Sequence, residues 1–198
     1  DSSGNVIWAK QYGNVSIITV DTATGGGYIL AGSTSASPSV SKIFKTDSGG
    51  NIVWKKALKD VTYDRIYFPR AMQFPNGDIL IICEWQVGPP PPSVLPIVLI
   101  KIDSSASNIK WAKSIPGENP SPEAFTIDNY DVLIAGRVVS LSPSCELNRA
   151  VKMDSSCTLP FSGVGFGELA TGLLNSFKPT SDNGYIISGT SMNFSLVM

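Results

Sequence analysis

The chain of 198 residues contains no histidine. That removes the commonest general base and the commonest metal ligand. It also rules out a Ser/His or Cys/His nucleophilic pair. Carboxylates remain as the candidates for acid–base chemistry. Asp64, Glu84, Glu118, Glu123 and Glu168 are the residues from which a glycoside-cleaving pair would be drawn, but none sits in a recognisable motif, and the reaction depends on a fixed separation of the two carboxyls. The glycines of Gly163-Val-Gly165-Phe-Gly167 follow no strand signal and open no helix, so a nucleotide-binding loop does not fit. Asp1, Asp47, Asp103 and Asp154 recur along the chain, each a lone carboxylate among serines. Calcium takes about 6–8 oxygen ligands, and a lone Asp in an Asp-Ser setting is instead turn chemistry. The sequence therefore predicts no catalytic residues, no metal site and no cofactor.

Binding chemistry is better represented. Tyr63, Asp64, Arg65 and Tyr67 fall in one aromatic and charged stretch, with Trp85 and Arg137 as candidate neighbours. Aromatics beside arginine are the usual anchors of an interface; the competing reading is that the stretch only packs over a channel mouth. The run Gly88-Pro-Pro-Pro-Pro-Ser-Val-Leu-Pro96 predicts a stiff polyproline segment. Three cysteines make an odd count. Cys145 and Cys157 bracket an expected strand, too far apart for a disulfide. Cys83 lies in an apolar run and is expected as a buried thiol, with a Cys83–Cys145 bridge as the alternative.

The elements that position these residues come from two repeated phrases. The first reads Asp1-Ser-Ser-Gly-Asn5-Val-Ile-Trp8-Ala-Lys10 and returns as Asp47-Ser-Gly-Gly-Asn51-Ile-Val-Trp54-Lys-Lys56. It appears again as Asp103-Ser-Ser-Ala-Ser-Asn108-Ile-Lys-Trp111-Ala-Lys113 and decays at Asp154-Ser-Ser-Cys-Thr-Leu-Pro-Phe161. Asp-Ser-x-Gly makes a turn, and the β-branched and aromatic residues after it make a strand. The second phrase is Gly27-Tyr-Ile-Leu-Ala-Gly32, Gly77-Asp-Ile-Leu-Ile-Ile82, Asp131-Val-Leu-Ile-Ala-Gly136 and Gly184-Tyr-Ile-Ile-Ser-Gly189. Successive copies begin 50, 53 and 54 residues apart, counting from Tyr28, Asp78, Asp131 and Tyr185. Each is apolar on both faces, as a strand packed from two sides must be.

A unit of four short strands repeating every ~50 residues is the signature of a β-propeller. The expected architecture is all-β, a four-bladed β-propeller forming one domain over 1–198. Residues 13–58, 59–115 and 116–163 would form full blades, and 164–198 the first three strands, A to C, of a fourth. Residues 1–12 would supply an orphan outer strand D. The two ends are complementary, so the N-terminal strand is expected to close the last blade, in cis or by exchange with a neighbouring subunit. A stretch of a longer propeller is the remaining alternative. Short Gly, Asn and Asp turns fall at one end of each blade and irregular loops at the other, where binding usually sits.

The first phrase, followed by Gly-Gly-Tyr-Ile-x-x-Gly, resembles repeats of secreted bacterial and archaeal β-propeller proteins. It is also similar to the tryptophan-docking motif of the quinoprotein-like propellers. That resemblance implies a Trp on each outer strand packing across the next blade. Trp8, Trp54 and Trp111 match the position, and Phe161 departs from it. Quinoprotein dehydrogenases carry a larger ring, a cofactor cradle and a calcium site; this sequence matches none of those motifs, so no cofactor or activity is carried over.

The bulk properties agree with a module that binds rather than reacts. Net charge is −1 and charged residues make up 16 %, which disfavours a nucleic-acid partner. No apolar run is long enough for a transmembrane helix. Few charges and two Asn-x-Ser sequons, at Asn14 and Asn193, point to an extracellular or cell-surface glycoprotein. The expected function is a non-enzymatic structural, adhesive or self-assembling surface or filament module, whose partners are its own copies, another surface protein or a glycan. A glycan- or protein-binding propeller using the irregular loop face is the alternative, and a glycosidase or lyase a third.

Overall fold

A computed structural model describes residues 2–35, 40–58, 65–86, 97–115, 121–128, 131–141, 144–154, 156, 162–165, 173–182, 184–190 and 195–197. Every regular element among them is a strand. The first sheet is β1 (Val15–Thr22), β2 (Tyr28–Thr34), β3 (Ser41–Thr46) and β4 (Ile52–Leu58), in chain order. The second is β5 (Arg65–Gln73), β6 (Ile79–Gln86), β7 (Ile97–Ile102) and β8 (Ile109–Ile115), again in order. The third is β9 (Ser121–Asp128), β10 (Asp131–Leu141), β11 (Ser144–Met153) and β12 (Ser162–Gly165). The fourth has three strands among the described residues: β13 (Leu173–Pro179), β14 (Tyr185–Thr190) and β15 (Ser195–Val197). Each sheet is thus a simple meander joined by hairpins.

The chain divides into two compact units, one of Asp1–Cys83 with Ile100–Trp111 and the other of Glu84–Leu99 with Ala112–Met198. In the first unit β5 packs on one face of the first sheet. The contact is polar at its margins: the Ala71 amide donates to Thr19 Oγ1 at 3.3 Å, and the Ser41 hydroxyl donates to the Ile66 carbonyl at 2.7 Å. Its interior is apolar, with Ile29, Ala31, Ile43, Ala71, Phe74 and Ile79–Ile82 fully buried. β2 is buried on both faces, as the doubly apolar phrase predicts, and β1 alternates half-buried with exposed. In the second unit β13 packs against β9 and β10, and Phe125, Val132, Ile134 and Met153 are buried.

Ser2–Tyr12 form no strand, in contrast to the expectation for 1–12. The physical reason lies in the hairpin. In its later copies the phrase follows a strand directly and a tight turn folds it back: the Asp47 amide donates to the Asn51 carbonyl at 2.9 Å, and the Asp103 amide to the Asn108 carbonyl at 3.1 Å. The first copy instead meets the Asp47 turn through its side chains. β12 also departs slightly from expectation, running from Ser162 across the anticipated boundary at 163/164. The glycines Gly163 and Gly165 lie within that strand. Cys145 lies inside β11 rather than before it, and Cys83 is fully buried in β6.

Candidate functional site

The turns of the first phrase are the best-defined polar constellations. In Asp47–Asn51, Asp47 Oδ1 accepts the Asn51 amide at 2.8 Å and Oδ2 accepts the Asn51 side-chain amide at 2.9 Å. These bonds, led by that from the Asn51 side chain, hold the Asp47 carboxyl below its usual pKa. Asp103 takes hydrogen bonds from the Asn108 side chain at 2.6 Å, the Ser105 hydroxyl at 2.8 Å and the Ser107 amide at 2.9 Å. Together they lower its pKa to about 2. Asp154 accepts from the amide and hydroxyl of Ser156 at 3.0 and 2.7 Å. Asp182 accepts from the Thr180 hydroxyl and, at 3.2 Å, from the Gly184 amide. Each carboxylate is spent on its own turn, which is the capping role its sequence setting suggests.

The N-terminal segment docks on the first of these turns. Trp8 Nε1 donates to the Ser48 carbonyl at 3.0 Å. Its ring lies over Gly50, so closely that a Cβ there would come within 2.9 Å of the indole. Tyr28 meets the same indole edge-on, 5.8 Å between ring centres. Lys10 Nζ donates to Asn51 Oδ1, and the Tyr12 hydroxyl donates to the Gly50 carbonyl at 2.9 Å. Lys113, the matching lysine of the third copy, donates to the Ser156 carbonyl of the Asp154 turn. Burial followed by the Asp47 charge raises the pKa of Tyr12.

A second polar knot joins the hairpins of the second sheet. Asp78, nearly buried, receives Lys110 Nζ on both oxygens at 2.7 and 2.8 Å and has Lys101 Nζ at 3.6 Å. Lys101 also stands 4.3 Å over the Phe74 ring. Beside it Gln73 Nε2 donates to the Gly77 carbonyl at 2.6 Å, and Gln73 Oε1 accepts the Thr24 amide at 2.7 Å. This knot ties the turn after β1 to the one after β5.

The sequence-predicted binding residues fall as follows. Tyr63 and Asp64 lie outside the described residues, as do Phe161 and Asn193. Arg65 and Tyr67 are in strand β5, Trp85 in β6 and Arg137 in β10, opposite Asn148. The expected loop is therefore partly strand, because Ile66-Tyr67-Phe68 is strongly strand-forming. The side chains of Arg65 and Arg137 lie outside the description. Tyr67 stacks at a tilt on Phe68, 6.3 Å between centres. Phe68, which ends the aromatic stretch read from the sequence, is 57 % exposed and has a φ of 48°, a backbone region that aromatic residues rarely adopt. The adjoining Pro69 is the one signal of irregularity there. Trp85 Nε1 is buried with no hydrogen-bond partner among the described residues, and the same holds for Trp54 Nε1. Of the carboxylate candidates, Glu84 is buried, while the side chains of Asp64, Glu118, Glu123 and Glu168 lie outside the description. Among the described residues no group of three or more Asp, Glu, Cys or His is placed to hold a metal, and no helix is long and apolar enough to cross a membrane.

No family model matches the chain, and no curated protein matches it. Solved structures do. A protein of unknown function from Dyadobacter fermentans superposes with a TM-score of 0.69 at 13 % identity, over 93 % of this chain and 64 % of its own. The Dos1 propeller superposes at 0.50 and 10 % identity, over 87 % of this chain and 42 % of its own. A mannose phosphorylase from Leishmania mexicana, in complex with phosphate ion, superposes at 0.51 and 10 % identity, over 89 % of this chain and 64 % of its own. The chain thus spans less than two thirds of each neighbour's length. Identities this low speak to fold alone, and the fold they share is all-β and propeller-like.

Proposed function

We propose that this is a non-enzymatic β-propeller module of the cell surface or extracellular space, serving adhesion or assembly. Its four sheets act as the blades of a ring, and the segment 1–12 completes the three-stranded sheet as an outer strand. The observation that carries this reading is the docking of Trp8 and Lys10 on the Asp47–Asn51 turn. Lys113 reaches the Asp154 turn in the same way from β8, which is an outer strand. The N-terminal segment thus holds an outer-strand residue's grip before having a ladder. The Asp47, Asp103 and Asp154 carboxylates and the Trp8 indole are occupied by the scaffold itself, which suits a structural role. Hydrogen exchange on the Val6–Lys10 amides tests the strand: slow exchange supports it, and exchange at the rate of an open chain overturns it. Native mass then separates closure within one molecule, a monomer at all concentrations, from exchange between molecules, a concentration-dependent series. The greater length of the structural neighbours supports a related arrangement, an arc of a larger ring.

The exposed Phe68 beside Tyr67 favours a second reading as a glycan- or protein-binding propeller. Glycan-array binding that survives Tyr67→Ala together with Phe68→Ala would dismiss it.

A further inference from the structure

We propose that Asn14 carries an N-linked glycan; this rests on the reading of the protein as a surface or extracellular one. The sequon is Asn14-Val15-Ser16. Asn5, Asn51 and Asn108, the asparagines of the repeated phrase, have Ile7, Val53 and Lys110 two residues on and cannot serve as acceptors. Transfer takes place on an accessible segment, and the folded protein must then accommodate a bulky, solvated group. Asn14 satisfies both needs. It sits in an exposed turn immediately before β1, after Gly13 at a φ of 64°. Ser16, whose hydroxyl the transferase reads, is exposed as well, on the solvent side of a strand that alternates half-buried and exposed.

Position within the first sheet adds a consequence. Val15 pairs with Thr34, and Ser41 pairs with Leu58, so Asn14 lies at the end of the sheet where β2 passes to β3. The capped turns Thr22–Tyr28 and Thr46–Ile52 lie at the other end. A glycan on Asn14 therefore leaves the docked Trp8 and the Asp47 turn untouched and projects from the loop end of the sheet. There it adds polar bulk on the side of the strand that exposes Ile18 and Val20, which are 37 % and 59 % accessible. In the transfer the Asn14 amide nitrogen forms a bond to the anomeric carbon of a lipid-diphosphate-linked oligosaccharide. The lipid diphosphate departs and the amide gives up one proton.

The test uses protein isolated from its own source. Intact cells are first treated with a membrane-impermeant amine label, which reports surface display separately. The purified protein is then digested with a glycan-releasing amidase in heavy-oxygen water and the peptide spanning Asn14 is sequenced by mass. The expected result is conversion of Asn14 to a heavy-labelled Asp with loss of the corresponding glycan mass from its peptide, and no such conversion at Asn14 for Ser16→Ala. Ser16→Thr should retain the glycan. A surface-labelled protein whose Asn14 peptide is wholly unmodified overturns the glycan while sparing the surface reading. An unlabelled, unmodified protein overturns both.

Discussion

The turns Asp47–Asn51 and Asp103–Asn108 come from one phrase and solve the same problem with different means. In both, the Asp amide is bonded to the Asn carbonyl and the Asp carbonyl takes the amide of a residue with positive φ. That residue is Gly50 at 74° in the first and Ala106 at 55° in the second. Gly50 is required twice, by its backbone angle and by the Trp8 ring above it. Ala106 bears the backbone cost alone, in a turn that is one residue longer. The longer turn compensates by offering Asp103 a serine hydroxyl and a serine amide as well as the Asn side chain. A repeated sequence thus repeats the turn, while the constraint on each position depends on what packs over it.

Several measurements sharpen or break that contrast. The largest effect is expected from Gly50→Ala, where positive-φ strain of about 1–2 kcal/mol is joined by an overpacking cost of about 1–3 kcal/mol. Chemical denaturation should show a loss of about 2–5 kcal/mol. Adding Trp8→Ala should recover the steric share, so the two changes together cost less than their sum. Strict additivity would mean that the ring does not rest on Gly50. Trp8→Ala alone should cost about 1–3 kcal/mol through lost aromatic packing and the lost Ser48 bond. Ala106→Gly should act in the opposite direction, stabilising by about 0.5–1 kcal/mol, because the strain it relieves exceeds the added freedom of the unfolded glycine. An unchanged denaturation midpoint would argue against a strained Ala106.

The smallest effect concerns pH. The folded pKa of Asp103 is depressed, so its stabilising contribution is fully present above the unfolded value of about 3.9. It is lost as pH falls from there through the folded value of about 2. Carboxyl chemical shifts should place the Asp103 midpoint near that value, and Asn108→Ala should move it upward toward an ordinary carboxylate. No upward movement would show that the asparagine is not the principal donor.

Much of the fold could be read from the chain because the signals were local and repeated. The turn chemistry of Asp47 and Asp103 and the doubly apolar runs of β2 and β6 each lie within a few residues, and each recurs. Tyr67 and Phe68 show where such reading stops. Their strand-forming composition puts them in β5 rather than a loop, and the unusual backbone at Phe68 has no marker beyond the following proline. Trp85 was singled out as an aromatic, but burial of its indole N–H without a partner among the described residues depends on neighbours remote in sequence.

The sequence by itself determined the four-strand repeat, its antiparallel hairpins and the capping role of the recurring aspartates, since these depend on backbone preferences over four to six residues. Only the tertiary structure decided that Trp8 covers Gly50, that Asp78 gathers Lys101 and Lys110, and that Ser2–Tyr12 dock by side chains without a strand. Those outcomes require segments some 20 to 40 residues apart to meet. Which side chain then faces which backbone is set by packing, and no local propensity encodes it.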